Sequence, residues 1–233
     1  MPFSVILVEP EIAANVGFVA RTLACYQIRD LRIVGGVSAA AEEARRTGAS
    51  ALDILAGARS FMDLKSALAD LHLALGFTFR PRDAAQRIHD LRDAVALVSG
   101  AGPEARVGLV FGRESRGLSR EDTLLATHLV RIPLPQDNMS LNLSHAVAIA
   151  LYALFEGAPV KYGTGNAPGE PVLPLAESEK ILSTLLARLA ERGRLNPAKA
   201  DAHEGYLRSL WQRLQPSRRE LEFLAGLLRK LEA

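Results

Sequence analysis

The chain has 233 residues, 48% of them hydrophobic, with a net charge of +2 and a single cysteine. That length supports one domain of about 150 residues plus a smaller module, and a lone cysteine excludes an internal disulfide and a cysteine-built metal cluster. No apolar stretch approaches the roughly 20 residues that cross a bilayer, and no basic segment precedes the first apolar run, so the cytoplasm is the expected location.

That first run, Ser4–Val8, reads as a buried strand, and a helix carrying Asn15, Gly17 and Arg21 should follow it. Further strands are expected at Leu31–Val34, Leu71–Phe77, Val107–Phe111 and His128–Ile132, each bounded by Gly, Pro or charged residues. Helical patterns separate them. Ser60, three residues before Asp63, marks one helix start, and Ser119, followed by Glu121 and Asp122, marks another. The last helix of this part should run from Leu141 to Phe155. Such alternation predicts an α/β fold, a mostly parallel sheet flanked by helices on both faces.

Composition then changes. Gly157–Pro174 holds four Gly and four Pro in eighteen residues and reads as a linker. Beyond it the pattern is helical only: Leu175–Arg192, a start at Asn196-Pro197, and a capping box at Ser217–Glu220 opening a helix through Leu231. The expected division is therefore residues 1–156, a linker 157–174, and a helical C-terminal extension 175–233. A three-helix unit of about sixty residues is marginal alone and should dock on another surface.

Three loops could carry chemistry. In the first, Gly17 and Arg21 share a helix face, since they stand four residues apart. Gly17 would then leave room for a substrate beside a guanidinium; alternatively it allows close packing while Arg21 is simply solvated. In the second, Gly112-Arg-Glu-Ser-Arg-Gly117, a glycine at each end suits a tight turn or a backbone close to a ligand, and Glu114 could hold the loop's shape. In the third, Pro133 and Pro135 end the strand pattern, and Met139–Asn142 lead into a helix N-terminus, where polar ligands bind. Asn142 or Ser140 could equally serve only as that helix's cap, and His145 is expected to be packed or capped. Strand three should end at the same edge with Phe77, Thr78 and Phe79. No dinucleotide fingerprint, phosphate loop, zinc pattern or nucleophile elbow occurs, so no metal is expected.

Taken in order, Asn15-Val-Gly-Phe-Val-Ala-Arg21, Gly108–Leu118 and Ile132–Tyr152 resemble the three signature motifs of the SPOUT RNA methyltransferases, TrmH-like branch, over residues 5–155. The helical extension is similar to that of TrmJ-type tRNA 2′-O-methyltransferases. The resemblance implies an α/β knot, with a deep C-terminal trefoil knot, and S-adenosylmethionine bound at Phe77, Thr78, Phe79, Gly112, Glu114, Ile132, Met139, Ser140 and Leu141. It further implies catalysis by Arg21 with Asn15, Ser140 and Asn142, a homodimer through the knotted domain, and tRNA as substrate, methylated on the ribose at position 32. Alternatives are the wobble ribose, ribosomal RNA, or a non-catalytic RNA-binding scaffold.

Of the 28 basic residues, 23 are Arg, whose planar fork suits phosphate and base stacking; a GC-rich genome gives the same bias without functional meaning. RNA contacts are expected from Arg80, Arg82, Arg113 and Arg116, and from Arg192, Arg194, Arg208, Arg213, Arg218 and Arg219 of the extension.

Overall fold

Val5 to Val8 are buried on both faces of a parallel sheet, which is why this strand reads as an unbroken apolar run. The computed structural model describes residues 3–79, 87–136, 139–156, 174–193 and 200–214, with scattered positions from 216 to 226. Among these residues the strands are β1 (Phe3–Val8), β2 (Asp30–Val34), β3 (Arg59–Phe61), β4 (Leu73–Phe77), β5 (Ile88–Asp90), β6 (Val107–Phe111) and β7 (His128–Arg131). They form one sheet in the order β3-β2-β1-β6-β4-β7-β5, all neighbours parallel. Between them lie α1 (Ala13–Cys25), α2 (Glu42–Thr47), α3 (Leu52–Ala56), α4 (Leu64–Leu68), α5 (Leu91–Gly100) and α6 (Arg120–Leu125). They are followed by α7 (Leu143–Glu156), α8 (Leu175–Glu191) and α9 (Ala200–Leu214).

Side chains alternate across the sheet. Val5, Leu7, Leu109 and Val130 face a core closed by α1, α5 and α7, while Ile6, Val8 and Val110 face α4 and α6. β4 and β5 are consecutive in the chain yet flank β7 in the sheet. The last strand is thus inserted between two that are already joined, an order consistent with the threaded topology that the resemblance implies.

The four longer expected strands and β7 are all present, with β4 starting at Leu73 rather than Leu71 and β7 ending one residue before Ile132. The sheet's two edge strands, β3 and β5, were not expected. Each is three residues long, and neither has a buried side chain to give an apolar signal. Ser60 lies within β3; the helix start is Asp63, whose carboxylate accepts from the Ser66 amide at 2.7 Å. Ser119 does cap α6, accepting from the Asp122 amide at 3.0 Å while its own amide donates to Asp122 at 2.8 Å.

The C-terminal helices pack back on the first part of the chain, α8 against α4 and α9 against α6. Leu182 and Leu186 of α8 are buried, and Trp211 Nε1 of α9 donates to Ser178 Oγ of α8 at 2.9 Å. Ser217 and Glu220 form the expected capping box: Ser217 N donates to Glu220 Oε2 at 2.7 Å, and Glu220 N to Ser217 Oγ at 3.3 Å. The start at Asn196-Pro197, most of the linker and the end at Leu231 lie outside the described residues.

Candidate active site

In a parallel sheet every strand ends at the same edge, so the segments after β1, β4, β6 and β7 meet there, the place where open α/β folds take ligands. Strand order makes two of them immediate neighbours, because β1 pairs with β6 along its length. Pro10 to Ile12 therefore lie beside the loop 112–117.

One hydrogen-bonded chain joins the three motif segments. Glu114 Oε1 accepts from Asn15 Nδ2 at 2.8 Å and from the Ile12 amide at 3.3 Å, while Oε2 accepts from the Glu11 amide at 2.8 Å. Asn15, only 3% exposed, accepts in turn from Asn142 Nδ2 at 3.0 Å. Asn142 Oδ1 then accepts from Ser144 N at 2.9 Å and Ser144 Oγ at 2.7 Å, which caps α7. Asn142 is thus both a helix cap and the link to the first motif. Glu114 was expected to hold its own loop and to touch the cofactor. Its carboxylate instead takes three donors from the α1 entrance, which makes it an organising group with little acceptor capacity left for a ligand.

A second set of contacts, not anticipated from the sequence, clamps the same two segments. Glu9 accepts from Arg113 Nε at 2.7 Å. Glu11 accepts from the Ser115 amide at 2.9 Å and from Ser115 Oγ at 2.6 Å, bonds that hold its carboxyl below the usual range. The available signal was the pattern Glu-Pro-Glu after one strand and Arg-Glu-Ser after another. Only the strand order makes it readable.

The remaining expected site residues divide by exposure. Phe77 is 8% exposed and stacks on Phe111 with ring centroids 4.5 Å apart, so its side chain belongs to the core and any ligand contact must use its backbone. Thr78 and Ile132 are half-buried, Leu141 likewise, and Phe79, Met139 and Ser140 are exposed. Gly112 has no space for a side chain, since a Cβ would lie 2.2 Å from the Gly117 carbonyl carbon. Gly117 has φ +68°, as a loop that closes this tightly requires. His145 faces solvent rather than packing.

Arg21 is exposed on α1, and its side chain makes no hydrogen bond or ion pair among the described residues. Asn15 does not hold it: the two lie about 9 Å apart along the helix axis, and Asn15 is spent on Glu114 and Asn142. Gly17 serves packing, not substrate. A Cβ there would lie 2.1 Å from Thr47 Oγ1 and 2.3 Å from the Ala44 carbonyl oxygen, so α2, and not the sheet, fills the space. Gly17→Ala is expected to destabilise the fold by about 1–3 kcal/mol, as overpacking does, read as a lower denaturant midpoint; an unchanged midpoint would mean α2 moves aside freely.

Arg113 and Arg208, both assigned to RNA, are held by acidic side chains. Arg113 is paired with Glu9, and Arg208 donates to both Glu179 oxygens at 2.7 and 2.8 Å and to Glu204 at 3.0 Å. Arg116, Arg192 and Arg219 are exposed, whereas Arg80, Arg82, Arg194, Arg218 and the side chain of Arg213 lie outside the described residues. No group of three or more metal-binding side chains occurs among the described residues.

Comparison with known proteins accounts for this edge. The model of the SpoU rRNA Methylase family matches residues 2–152, the span that holds all three segments. A tRNA (cytidine/uridine-2'-O-)-methyltransferase TrmJ of Pectobacterium atrosepticum is 27% identical over 98% of this chain and 95% of its own length. Among solved structures, TrmJ from Z. mobilis ZM4 superposes with a TM-score of 0.84 and 27% identity, each chain fully covered. A structure described as giving insight into the 2-OH methylation of C/U34 on tRNA matches with a TM-score of 0.54 and 26% identity, covering 66% of this chain and 94% of its own. Sheet order, wired motif loops and a matching family model converge, and the chain belongs to the SpoU rRNA Methylase family, with the α/β-knot fold of the SPOUT methyltransferases.

Proposed function

We propose that this chain methylates the ribose 2′-oxygen of a tRNA nucleotide, with position 32 of the anticodon loop as its target. The supporting observation is coverage. The relative named as a tRNA (cytidine/uridine-2'-O-)-methyltransferase aligns over 98% of the chain, whereas the C/U34 structure covers 66% of it. The extension, residues 175–233 beyond a linker at 157–174, is then the part that distinguishes the two substrates.

SpoU methylases draw on S-adenosylmethionine as the donor, and the sheet edge suits it. Phe79, two residues past β4, and Met139, in the segment that follows β7, present large apolar side chains, 36% and 56% exposed. Half-buried Ile132 and Leu141 extend that surface, which fits a purine and thioether carbons. We assign the donor contacts to these four with Thr78, Gly112, Ser140 and the backbone of Phe77. Bound there, the donor supplies a methyl group on a sulfonium, open to in-line attack by an oxygen.

Arg21 is the catalytic group in this reading. An arginine stays protonated in proteins, so it serves better as a cation stabilising the developing 2′-alkoxide than as a base. Ser140 and Asn142 shape the acceptor side, and Asn15 and Glu114 hold the loops in register. Positioning two bound substrates can supply much of the acceleration.

The exposed apolar side chains of α1 and α7, Phe18, Ile149, Tyr152 and Phe155, support a homodimer through this face. A tRNA substrate supports a cytoplasmic location. No helix among the described residues is long and apolar enough to cross a membrane.

Incubating the full chain with labelled donor and unmodified tRNA, then mapping the labelled nucleotide, tests the proposal. Label on the ribose at position 32 is expected. Label at the wobble ribose, or only on ribosomal RNA, replaces the substrate, and no label with retained RNA binding leaves a scaffold.

A further inference from the structure

Glu9 adopts a left-handed backbone conformation, φ 46°, which is uncommon for a residue with a side chain. Its surroundings enforce it. Glu9 N donates to Val34 O at 2.7 Å, Val37 N donates to Pro10 O at 2.8 Å, and Gly36 lies so close that a Cβ there would sit 2.6 Å from the Glu9 carbonyl carbon. Held this way, the carboxylate meets Arg113 through both Nε and Nη2. Backbone conformations of this kind cluster at functional sites.

Arg113 stands at a junction. Its carbonyl oxygen accepts from the Gly117 amide at 2.8 Å, closing the loop above Gly112. Its Nη1 lies 3.9 Å from Asp122, the residue that completes the cap of α6. Through its side chain Arg113 therefore reaches the segment after β1 and the helix that follows, and through its carbonyl it closes its own loop after β6. The Glu9 hydrogen bond raises the affinity of the guanidinium for its proton, and the Asp122 charge acts in the same direction. A phosphate would have to displace Glu9 from a two-pronged pair to engage this arginine.

We infer that Arg113 is a positioning residue for the methyl-donor side of the site, acting through the 112–117 loop, and is not an RNA contact. The inference rests on the proposed methyltransferase reading for its substrates. It adds Glu9 as the partner that sets Arg113, and the Gly35-Gly36 turn as the element that sets Glu9.

The test measures binding of S-adenosylmethionine without RNA by calorimetry, and steady-state kinetics with tRNA, for wild type, Arg113→Met, Glu9→Gln and the double variant. Each single variant should weaken donor binding roughly fivefold, as loss of a partly exposed charge-assisted pair suggests. The double variant should lose little more than either single one, because both remove one interaction. Binding of tRNA and its salt dependence should not change. Glu9→Gln keeps the side chain's shape and serves if Arg113→Met does not fold.

Two results overturn the inference. In one, tRNA affinity falls while donor binding holds, and the slope of log affinity against log salt shrinks by about 0.7–0.9, the signature of one lost phosphate contact. In the other, the variants melt earlier but bind donor as wild type does, which marks the pair as structural only. Failure of the wild type to methylate any RNA would count against the functional reading instead, and the donor-binding measurement would still decide the role of Arg113.

Discussion

An Arg21→Ala variant is expected to bind both donor and tRNA and to transfer methyl groups about 100- to 1000-fold more slowly, the range seen when one preorganised charge-stabilising donor is removed. The structure makes this a clean substitution. Arg21 is exposed and holds no other part of the molecule among the described residues, so its removal should change stability by no more than about 0.5 kcal/mol. That freedom is itself informative. Arg32, Arg59, Arg113, Arg131 and Arg208 each have an acidic partner, whereas Arg21 projects from the helix that carries Asn15 with its guanidinium available. Arg21→Lys separates charge from shape, since lysine keeps the cation and loses the planar fork. Turnover by the alanine variant within a few-fold of wild type would remove Arg21 from the chemistry and leave the bound substrates' placement to account for the rate.

The largest effect on stability is expected at the opposite end of the sheet. Arg32 on β2 is 1% exposed, the largest polar side chain buried in the core. Its Nε and Nη2 donate to Asp30 Oδ2 at 3.0 and 2.7 Å, Nη2 donates to Asp70 Oδ2 at 3.0 Å, and Nη1 donates to the Ala67 carbonyl at 2.6 Å. Arg32→Met fills similar volume but takes the guanidinium from the Asp70 carboxylate and the Ala67 carbonyl, and leaves Asp30 with only Ser4 and Arg59. Breaking a buried pair from one side costs about 3–5 kcal/mol. Water reaches the Asp30 and Asp70 side chains, 28% and 42% exposed, so the lower end of that range applies.

The pH dependence follows from the same cluster. Burial alone would raise the Asp30 carboxyl, but the hydrogen bonds from Arg32, Ser4 and Arg59 outweigh it and hold it low. The Arg32 hydrogen bond likewise lowers Asp70, against the effect of its burial. A carboxyl lowered on folding stabilises the protein above its unfolded value and loses that contribution as pH falls through the folded one. The stability gap between wild type and Arg32→Met should therefore be full near neutrality and shrink below about pH 4. His128 acts separately: burial, aided by the His89 charge, pushes it down to about 4, so acid below its ordinary range also favours unfolding. That contribution is common to both proteins and cancels in the comparison. A gap that stays constant from pH 7 to pH 3 would mean that the carboxylates find other donors.

How much of this was visible in the sequence depended on which contacts are local. β1, β4 and β6 are buried on both faces and so read as apolar runs, and the Ser119 and Ser217 caps lie within three residues of their partners. β3 and β5 gave no such signal, because three-residue edge strands bury little. At the site, Asn15, Glu114 and Asn142 were identifiable from motif resemblance, but their mutual bonds span 99 and 127 residues. The pairing of Arg113 was hidden for the same reason. Its partner Glu9 is 104 residues away, and only the pairing of β1 with β6 brings them together. That the Phe77 ring belongs to the core rests on its stack with Phe111, a contact set by the pairing of β4 with β6.

The position of β7 bears on how long the folded state lasts once formed. An edge strand such as β3 can fray while its neighbours stay in place, but β7 has β4 on one side and β5 on the other, and these two are covalently joined. Withdrawing it means drawing α7 and everything after it back past that connection. Residues 132–136 and 139–142, where we propose that the donor binds, follow this strand, so the persistence of that site is governed by an unfolding rate and not only by an equilibrium.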